Sequence, residues 1–451
     1  MLMSAQLFEY LHGKRIALLG FGREGRSSYV FLRNYFPELP LLIADQAPIR
    51  LEDPHVTLLC GEGYLDALHQ CDIVLKSPGI PLKNIAIPPG VEISCQTDLF
   101  LRFAPCVKAG VTGSKGKTTT STLLYGMLRA SGIGARLIGN MGVPVLDCFD
   151  EIAGQIAVIE LSSHQLEFTH ASPQVAVWTN LYEEHLDHYT GGFAGYAAAK
   201  GHICQYQAPE DYFIYNADQP IAQMVDLSRC RARRVPVSAR TEDPFLASLV
   251  NGNPRLRGEH NRHNIYFAAT AAALLGATQA GIRRAVEEFQ GFPHRMYPVS
   301  EACGIHWVDD SICTIPRGVL CTVDALGDVD TLLLGGLDRG LDYQGFAEEL
   351  SKRPLRNIVC MPETGHTIAK LLQELSSRQT IVPVQTMEQA VAAALACTTA
   401  GKTCLLSPAA ASYNAYKNFE EKGAHFLRCI ESAARASALK STAAGTPPCP
   451  G

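Results

Sequence analysis

The chain has 451 residues, more than one ordinary core can serve, so two to four domains are expected at roughly 100–200 residues each. Its 47% hydrophobic and 18% charged residues exclude a disordered chain, and a net charge of −5 argues against a protein built to hold nucleic acid. The 15 cysteines are scattered and form no C-x-x-C pair, which argues against a zinc ribbon or disulfide scaffold and fits reduced thiols in the cytoplasm.

In chain order, residues 1–15 have no long apolar core and no cleavage pattern, so no signal peptide is expected. An apolar run over 15–20 reads as a strand, followed by a glycine cluster and a helix over 27–35. Short apolar runs at 41–45, 56–59 and 73–75 read as further strands. A second unit opens near Pro105, with strands over 106–111, 156–161, 175–179 and 213–215 and helices over 122–130, 262–275 and 280–289. Arg231, Arg233 and Arg234 read as a solvated edge. The Ala-rich stretch from Ile265 to Ala280 carries Thr270 and Gln279 and reads as a buried helix, not a membrane span. After His294 and Arg295 a third unit has strands over 306–308, 331–334, 357–360, 380–384 and 403–406, with helices between, such as 387–396. Strands alternating with helices predict an α/β protein with parallel sheets covered on both faces. Residues 437–451 are Ala, Ser, Pro and Gly without periodicity and are expected to be disordered.

Two glycine loops carry chemistry. Gly20-Phe-Gly22-Arg-Glu-Gly25 follows a strand, and Asp45 ends the next one; read alone this fingerprint points to an NAD-dependent oxidoreductase. The second loop is Gly110-Val-Thr-Gly113-Ser-Lys-Gly116-Lys117-Thr118-Thr119-Thr120. Val111 stands at the first glycine of the full phosphate-loop pattern, but Gly113-x-x-Gly116-Lys117-Thr118 is kept. Such a loop turns backbone N–H groups toward phosphate oxygens, Lys117 reaches the outer phosphates and the Thr118 hydroxyl suits Mg²⁺. A second phosphate loop is hard to explain in a dehydrogenase. A nonenzymatic nucleotide-binding regulator would bind nucleotide without releasing phosphate.

Further motifs follow in order: Gly139-Asn140-Met141-Gly142, Glu160-Leu-Ser-Ser163-His-Gln165-Leu-Glu167, Asn180-Leu-Tyr-Glu-Glu184-His185, Tyr196-Ala-Ala-Ala-Lys200, Gly258-Glu-His260-Asn261-Arg-His-Asn264 and Pro293-His294-Arg295. In this order and spacing, from about residue 10 to 430, the set resembles the Mur ligase family, and within it the ligases that add glutamate to a UDP-N-acetylmuramoyl-alanine. The segment from Ser407 to Glu420 is similar to the signature of that glutamate-adding branch.

The resemblance implies three domains: a Rossmann-like UDP-binding domain over 1–105, a P-loop-type ATPase domain over 106–296 and a Rossmann-like glutamate-binding domain over 297–436. It implies an ATP-dependent cytoplasmic ligase of peptidoglycan synthesis, a monomer with no membrane or nucleic-acid partner, which makes an acyl phosphate and then an amide. ATP is expected at Gly113, Ser114, Lys115, Gly116, Lys117, Thr118 and Thr119, with Asn261 and Asn264 near the adenine, Arg295 as a phosphate contact and Asp310 at the ribose. Asparagines that open a helix also commonly cap it. Gly22, Arg23, Asp45, Ser77 and Asn140 are expected to hold the UDP-linked substrate, with Ser77–Ile80 and Thr97–Phe100 as further elements of that domain. Two Mg²⁺ are expected at Thr118, Glu160, His185 and Lys200. The resemblance implies that CO₂ carbamylates Lys200 to N6-carboxylysine, a step that needs a neutral amine. Glutamate is expected at Thr314, Arg339, Ser412 and Phe419.

The chain departs from the usual glutamate pocket. Ile312 stands where a lysine is common, Ile315 where an asparagine is, and Arg339 replaces a second lysine. Arginine can grip a carboxylate bidentately, which lysine cannot. The altered pattern resembles a variant branch that adds L-glutamate, so L-glutamate is expected, with D-glutamate as the alternative.

Overall fold

The computed structural model describes residues 5–140, 143–184, 188–338 and 340–443. The chain forms two compact units: residues up to Pro254 with Glu259–Phe289, and Arg255–Gly258 with the chain from Gln290 on.

The first unit holds two parallel sheets. Strands β1 (Ile16–Leu19), β2 (Leu41–Asp45), β3 (Val56–Cys60), β4 (Ile73–Lys76) and β5 (Glu92–Ser94) lie in the order β3-β2-β1-β4-β5. Strands β6 (Val107–Thr112), β7 (Ala135–Gly139), β8 (Ile156–Glu160), β9 (Val175–Trp178), β10 (Tyr212–Asn216) and β11 (Arg233–Val237) lie in the order β11-β10-β9-β6-β8-β7. One core joins both sheets: Phe149, just before β8, packs edge-on against Phe31 and Phe100, with centroids 5.0 and 6.1 Å apart.

The second unit holds β12 (Tyr297–Ser300), β13 (His306–Asp309), β14 (Val329–Gly336), β15 (Asn357–Glu363), β16 (Thr380–Pro383) and β17 (Thr403–Leu406), in the order β12-β13-β17-β14-β15-β16. Only the edge strand β12 runs antiparallel. All eight residues of β14 are buried, because helices cover both faces and leave a central strand no solvent side.

Three local expectations change. The helices after the two glycine loops start earlier than expected, at Arg23 and Lys117, because glycines (Gly22 and Gly116) occupy their N-caps and the loops run straight into helix. The stretch from Ile265 to Ala280 is not one helix: Glu259–Leu274 ends, Gly276 takes φ +89°, and Gln279–Glu287 begins with Thr278 capping it. The final helix runs Phe419–Ala443, past the expected start of disorder at 437, because alanine-rich sequence without proline favours helix to that point. Among the described residues no helix is long and apolar enough to cross a membrane. Arg233 and Arg234 are exposed on β11, as a solvated edge requires.

Candidate active site

β6 ends at Thr112 and the chain turns through Gly113–Gly116 into the helix Lys117–Ala130. Gly113 and Gly116 have φ of +144° and +83°, backbone that side-chain-bearing residues avoid. A Cβ at Gly113 would collide with the Thr179 hydroxyl, and one at Gly116 with the Asn264 side-chain oxygen. Among the described residues no side chain caps this helix, so its first N–H groups and the positive end of its dipole face the loop. The segment after β9 fastens the loop. Ser114 N donates to Asn180 O (3.0 Å), Lys115 N to Asn180 Oδ1 (2.8 Å), and Thr179 Oγ1 to Lys115 O (2.6 Å). The Ser114 hydroxyl meets Tyr196 Oη at 2.9 Å.

Two lysines converge on one carbonyl of this loop. Lys117 Nζ donates to Gly113 O and Ser114 O, each at 2.9 Å. Lys200, on the helix Phe193–Gln205, also donates to Gly113 O at 2.9 Å and lies 3.5 Å from Thr112 Oγ1. Lys200 is 1% exposed, and its amine sits 4.8 Å from the Tyr196 ring centroid. Burial, reinforced by the positive charge of Lys117, holds that amine well below the usual lysine range.

Glu160 ends β8, where open α/β sheets place their ligands. It is 2% exposed; Oε1 accepts from Asn140 Nδ2 at 2.9 Å, while Oε2 is buried with no partner among the described residues. A buried carboxylate oxygen left unpaired is unusual in a folded protein and fits a hard cation. Thr118, in the first turn after the phosphate loop, supplies a second oxygen donor type. The residues present therefore suit Mg²⁺. His185 lies outside the described residues.

Two cavities flank these groups. One of about 420 Å³ is lined by Gly22, Arg23, Asp45, Ser77 and Asn140, so the structure brings together all five residues expected to hold the UDP-linked substrate. Asp45 also fastens its own loop, accepting from Phe21 N at 2.6 Å and Ala47 N at 2.8 Å, and Ser77 Oγ donates to Gly20 O at 2.8 Å. The second cavity, about 360 Å³, is lined by Lys117, Lys200, Glu184 and Tyr196, and shares Pro78, Gly79 and Asn140 with the first. Thr97 and Asp98 line neither of these two cavities: Asp98 is fully buried, accepting from His170 N (2.7 Å) and Ser94 Oγ (2.8 Å) beside Arg102.

Asn261 and Asn264 lie inside the helix Glu259–Leu274 rather than capping it. Asn264 Oδ1 accepts from Thr120 Oγ1 (3.2 Å) and its Nδ2 donates to Asn261 Oδ1 (3.1 Å), so the pair ties this helix to the one that follows the phosphate loop.

In the second unit, Arg295 lies over the Phe292 ring at 5.6 Å. Asp310 is 3% exposed; Ser407 Oγ (2.8 Å) and Thr322 Oγ1 (3.0 Å) donate to one oxygen and Met296 N (3.1 Å) to the other. Burial pushes its carboxyl up to about 6 despite those bonds. Ser412 is buried and its hydroxyl has no partner among the described residues. Phe419 opens the final helix, and its carbonyl accepts from Ser311 Oγ at 3.0 Å. Thr314 is half-buried in the turn before the helix Pro316–Leu326. Arg339 lies outside the described residues.

Sequence reasoning assigned no role to Thr179, Asn180 and Tyr196, though Asn180 and Tyr196 stood in quoted motifs. Tyr196 had a readable signal, since it is four residues before Lys200 and so shares its helix face. Lys76 also went unremarked. It is buried at the end of β4, 3.4 Å from Glu167, which His188 approaches at 3.3 Å.

The fold and site define a nucleotide-loop α/β protein with a cation-rich second cavity. The Mur ligase middle domain matches residues 111–251. A UDP-N-acetylmuramoylalanine–D-glutamate ligase of Halalkalibacterium halodurans is 33% identical over 449 residues, covering 94% of this chain and 98% of that protein. One from Symbiobacterium thermophilum is 35% identical over 402 residues, covering 84% and 88%. The solved structure of a MurF ligase from Thermotoga maritima in complex with ADP shares the fold at a TM-score of 0.60 and 15% identity, covering 94% of this chain and 95% of that one. The chain belongs to the Mur ligase family.

Proposed function

We propose that this chain is an ATP-dependent ligase that joins glutamate to the alanine carboxylate of UDP-N-acetylmuramoyl-L-alanine, in cytoplasmic peptidoglycan synthesis. The observation that carries the mechanism is the pair Lys117 and Lys200 on the Gly113 carbonyl, together with a buried Glu160 oxygen that bonds to none of the described residues. A free carboxylate is a poor electrophile. Transfer of the ATP γ-phosphoryl group breaks the bond to the β-phosphate oxygen and forms one to the carboxylate oxygen, giving ADP and an acyl phosphate. The glutamate amine then attacks the acyl carbon, phosphate leaves and the amine loses a proton. Such a transfer depends on positioning and charge neutralisation rather than on a protein nucleophile.

The residues divide accordingly. Gly113–Thr119 cradle the phosphates, Lys117 carries charge to the outer ones, and Asn261, Asn264, Arg295 and Asp310 are assigned to ATP. Gly22, Arg23, Asp45, Ser77 and Asn140 hold the UDP-linked substrate, which the shared lining at Asn140 would lead toward the second cavity. Thr118, Glu160, His185 and carbamylated Lys200 would hold Mg²⁺, which neutralises phosphate charge. Lys200 suits carbamylation because its amine is buried and depressed toward the neutral form that attacks CO₂. The three sheets support a division at 1–105, 106–296 and 297–436.

The names of the relatives favour D-glutamate, the alternative, over the L-glutamate reading. The second reading rests on Ile312 and Arg339, where lysines are usual. Purified protein with ATP, Mg²⁺ and UDP-N-acetylmuramoyl-L-alanine is expected to release ADP and form amide with D-glutamate. Turnover with L-glutamate alone would reverse the enantiomer, and no ADP with either would sink the ligase reading.

A further inference from the structure

A lysine with no role so far lies buried in the second unit. Lys422 is 2% exposed, in the first turn of the helix Phe419–Ala443, and its amine donates to Gly335 O at 2.7 Å. That is its one hydrogen bond among the described residues, and the Tyr416 ring centroid lies 5.9 Å away. Burial draws the amine down to about 8. A long cationic side chain is costly to bury, so the contact it makes has to be one the fold needs.

That contact falls at the end of β14, where the chain leaves the sheet into Gly335-Gly336-Leu337-Asp338. Its two glycines have no side chains to hold it, and the Asp338 side chain accepts from Gly340 N (2.8 Å) further along. Gly335 takes φ +127°, and a Cβ there would meet Met361 O at 2.6 Å. Its backbone groups are therefore bonded from outside, one by one. Gly335 N donates to Pro408 O (2.9 Å), and Gly336 N and O both meet Thr364 Oγ1 (2.9 and 3.0 Å). Leu337 N donates to Ala411 O at 2.8 Å, which seats the segment against the residue before Ser412. Gly335 O accepts from Lys422, the one charged donor among these bonds. Charge-assisted hydrogen bonds are roughly twice as strong as neutral ones, and a buried carbonyl without a donor loosens the chain around it. Lys422 thereby couples three pieces: the strand end leading to Asp338, the Ala411–Ser412 segment, and the helix that Phe419 opens.

We propose that Lys422 is a positioning residue for the incoming amino acid, fixing the Gly335–Asp338 turn against Ala411–Ser412 so that Ser412 and Phe419 are held in place before glutamate arrives. This rests on the assignment of glutamate to Ser412 and Phe419. The test is steady-state kinetics of Lys422→Met and Lys422→Arg in the full chain, with each of the three substrates varied in turn. For Lys422→Met, KM for glutamate rises by about tenfold, as expected when one charge-assisted bond is lost, while KM for ATP and for the UDP-linked substrate stays within about twofold. Lys422→Arg, which keeps a cationic donor, recovers most of the loss. An unchanged glutamate KM in a Lys422→Met protein that melts normally would overturn the proposal, as would an equal rise for all three substrates. If Lys422→Met does not fold, the Thr364→Val variant removes the neighbouring clamp on Gly336, and the same selective rise in glutamate KM is expected. Should Ser412→Ala leave glutamate KM unchanged while Lys422→Met raises it, the pocket assignment fails and the role of Lys422 stands apart from it.

Discussion

The glycine loop after β1 and the glycine loop after β6 both turn the chain from a parallel strand into a helix with a glycine at its N-cap, Gly22 in one and Gly116 in the other. Around the first, a carboxylate does the fastening: Asp45 accepts from the loop amide of Phe21, and Arg23 brings a cation to the cavity. Around the second, amide and hydroxyl groups of Thr179 and Asn180 do the fastening, and two lysine amines crowd a single carbonyl. The backbone device is shared; the chemistry differs because neighbouring segments deliver different side chains to it. A loop that only holds a diphosphate needs a fixed shape. A loop at which a phosphoryl group moves needs positive charge that stays put while negative charge shifts.

Removal of charge from the second loop tests this contrast most severely. Lys117→Ala is expected to lower kcat by about 10³-fold or more, with KM for the UDP-linked substrate little changed, read as ADP release. An equal loss in UDP-substrate binding would mean that the two loops are not separate in function. Lys200→Ala is expected to cost on the order of 10²–10³ in rate. A short-chain carboxylic acid should restore part of it by supplying the missing carboxylate. Full activity of the unsupplemented variant would remove Lys200 from the centre.

The same contrast explains what could be read from sequence. Both loops were legible because glycines beside an apolar run are rare outside tight strand–helix turns. The central strand β1 was legible because burial on both faces leaves an unbroken apolar run, and β14 was legible through its inner Leu332–Leu334 although Asp330 and Thr331 precede them. The four strands that sequence reasoning missed, β5, β7, β11 and β12, are all sheet edges. Edges tolerate the glutamate of β5, the arginines of β7 and β11, and the prolines of β11 and β12, which break the apolar signal. Site residues were legible where the residue type was odd for its place, as with Glu160. Lys422 was not, because a lysine on a helix reads as solvated until tertiary packing closes over it. The asparagines were read as caps because position near a helix start is local, whereas the contact of Asn264 with Thr120 spans 144 residues.

At the first loop the expected effect is smaller and falls on binding. Asp45→Ala removes a charged acceptor from the Phe21 amide, a loss of about 1.5–3 kcal/mol, so KM for the UDP-linked substrate should rise by about tenfold or more. Turnover at saturation and KM for ATP should hold. A fall in kcat matching that of Lys117→Ala would show that the loops act as one.

The smallest effect separates charge from packing at Lys200. In the folded protein its amine lies well below the usual lysine range, chiefly through burial and then through Lys117 and Lys115, with Glu184 opposing them. The unfolded chain restores an ordinary amine near 10.4. Between those two values the unfolded state binds a proton that the folded state does not, so stability rises with pH through that window and falls as pH drops. Methionine has similar length and no proton to lose, and Gly113 O keeps its bond from Lys117. Lys200→Met should therefore melt higher than the parent at pH 7 in CO₂-free buffer, by a few °C on the order expected for about 1 kcal/mol, with the gain shrinking toward pH 10. Carbamylation would turn the amine into an anion close to Lys117, so added bicarbonate should stabilise the parent and leave the variant unmoved. If the variant instead melts lower at every pH, the hydrogen bond to the loop outweighs the buried charge, and the second loop, like the first, depends on its side chains for shape.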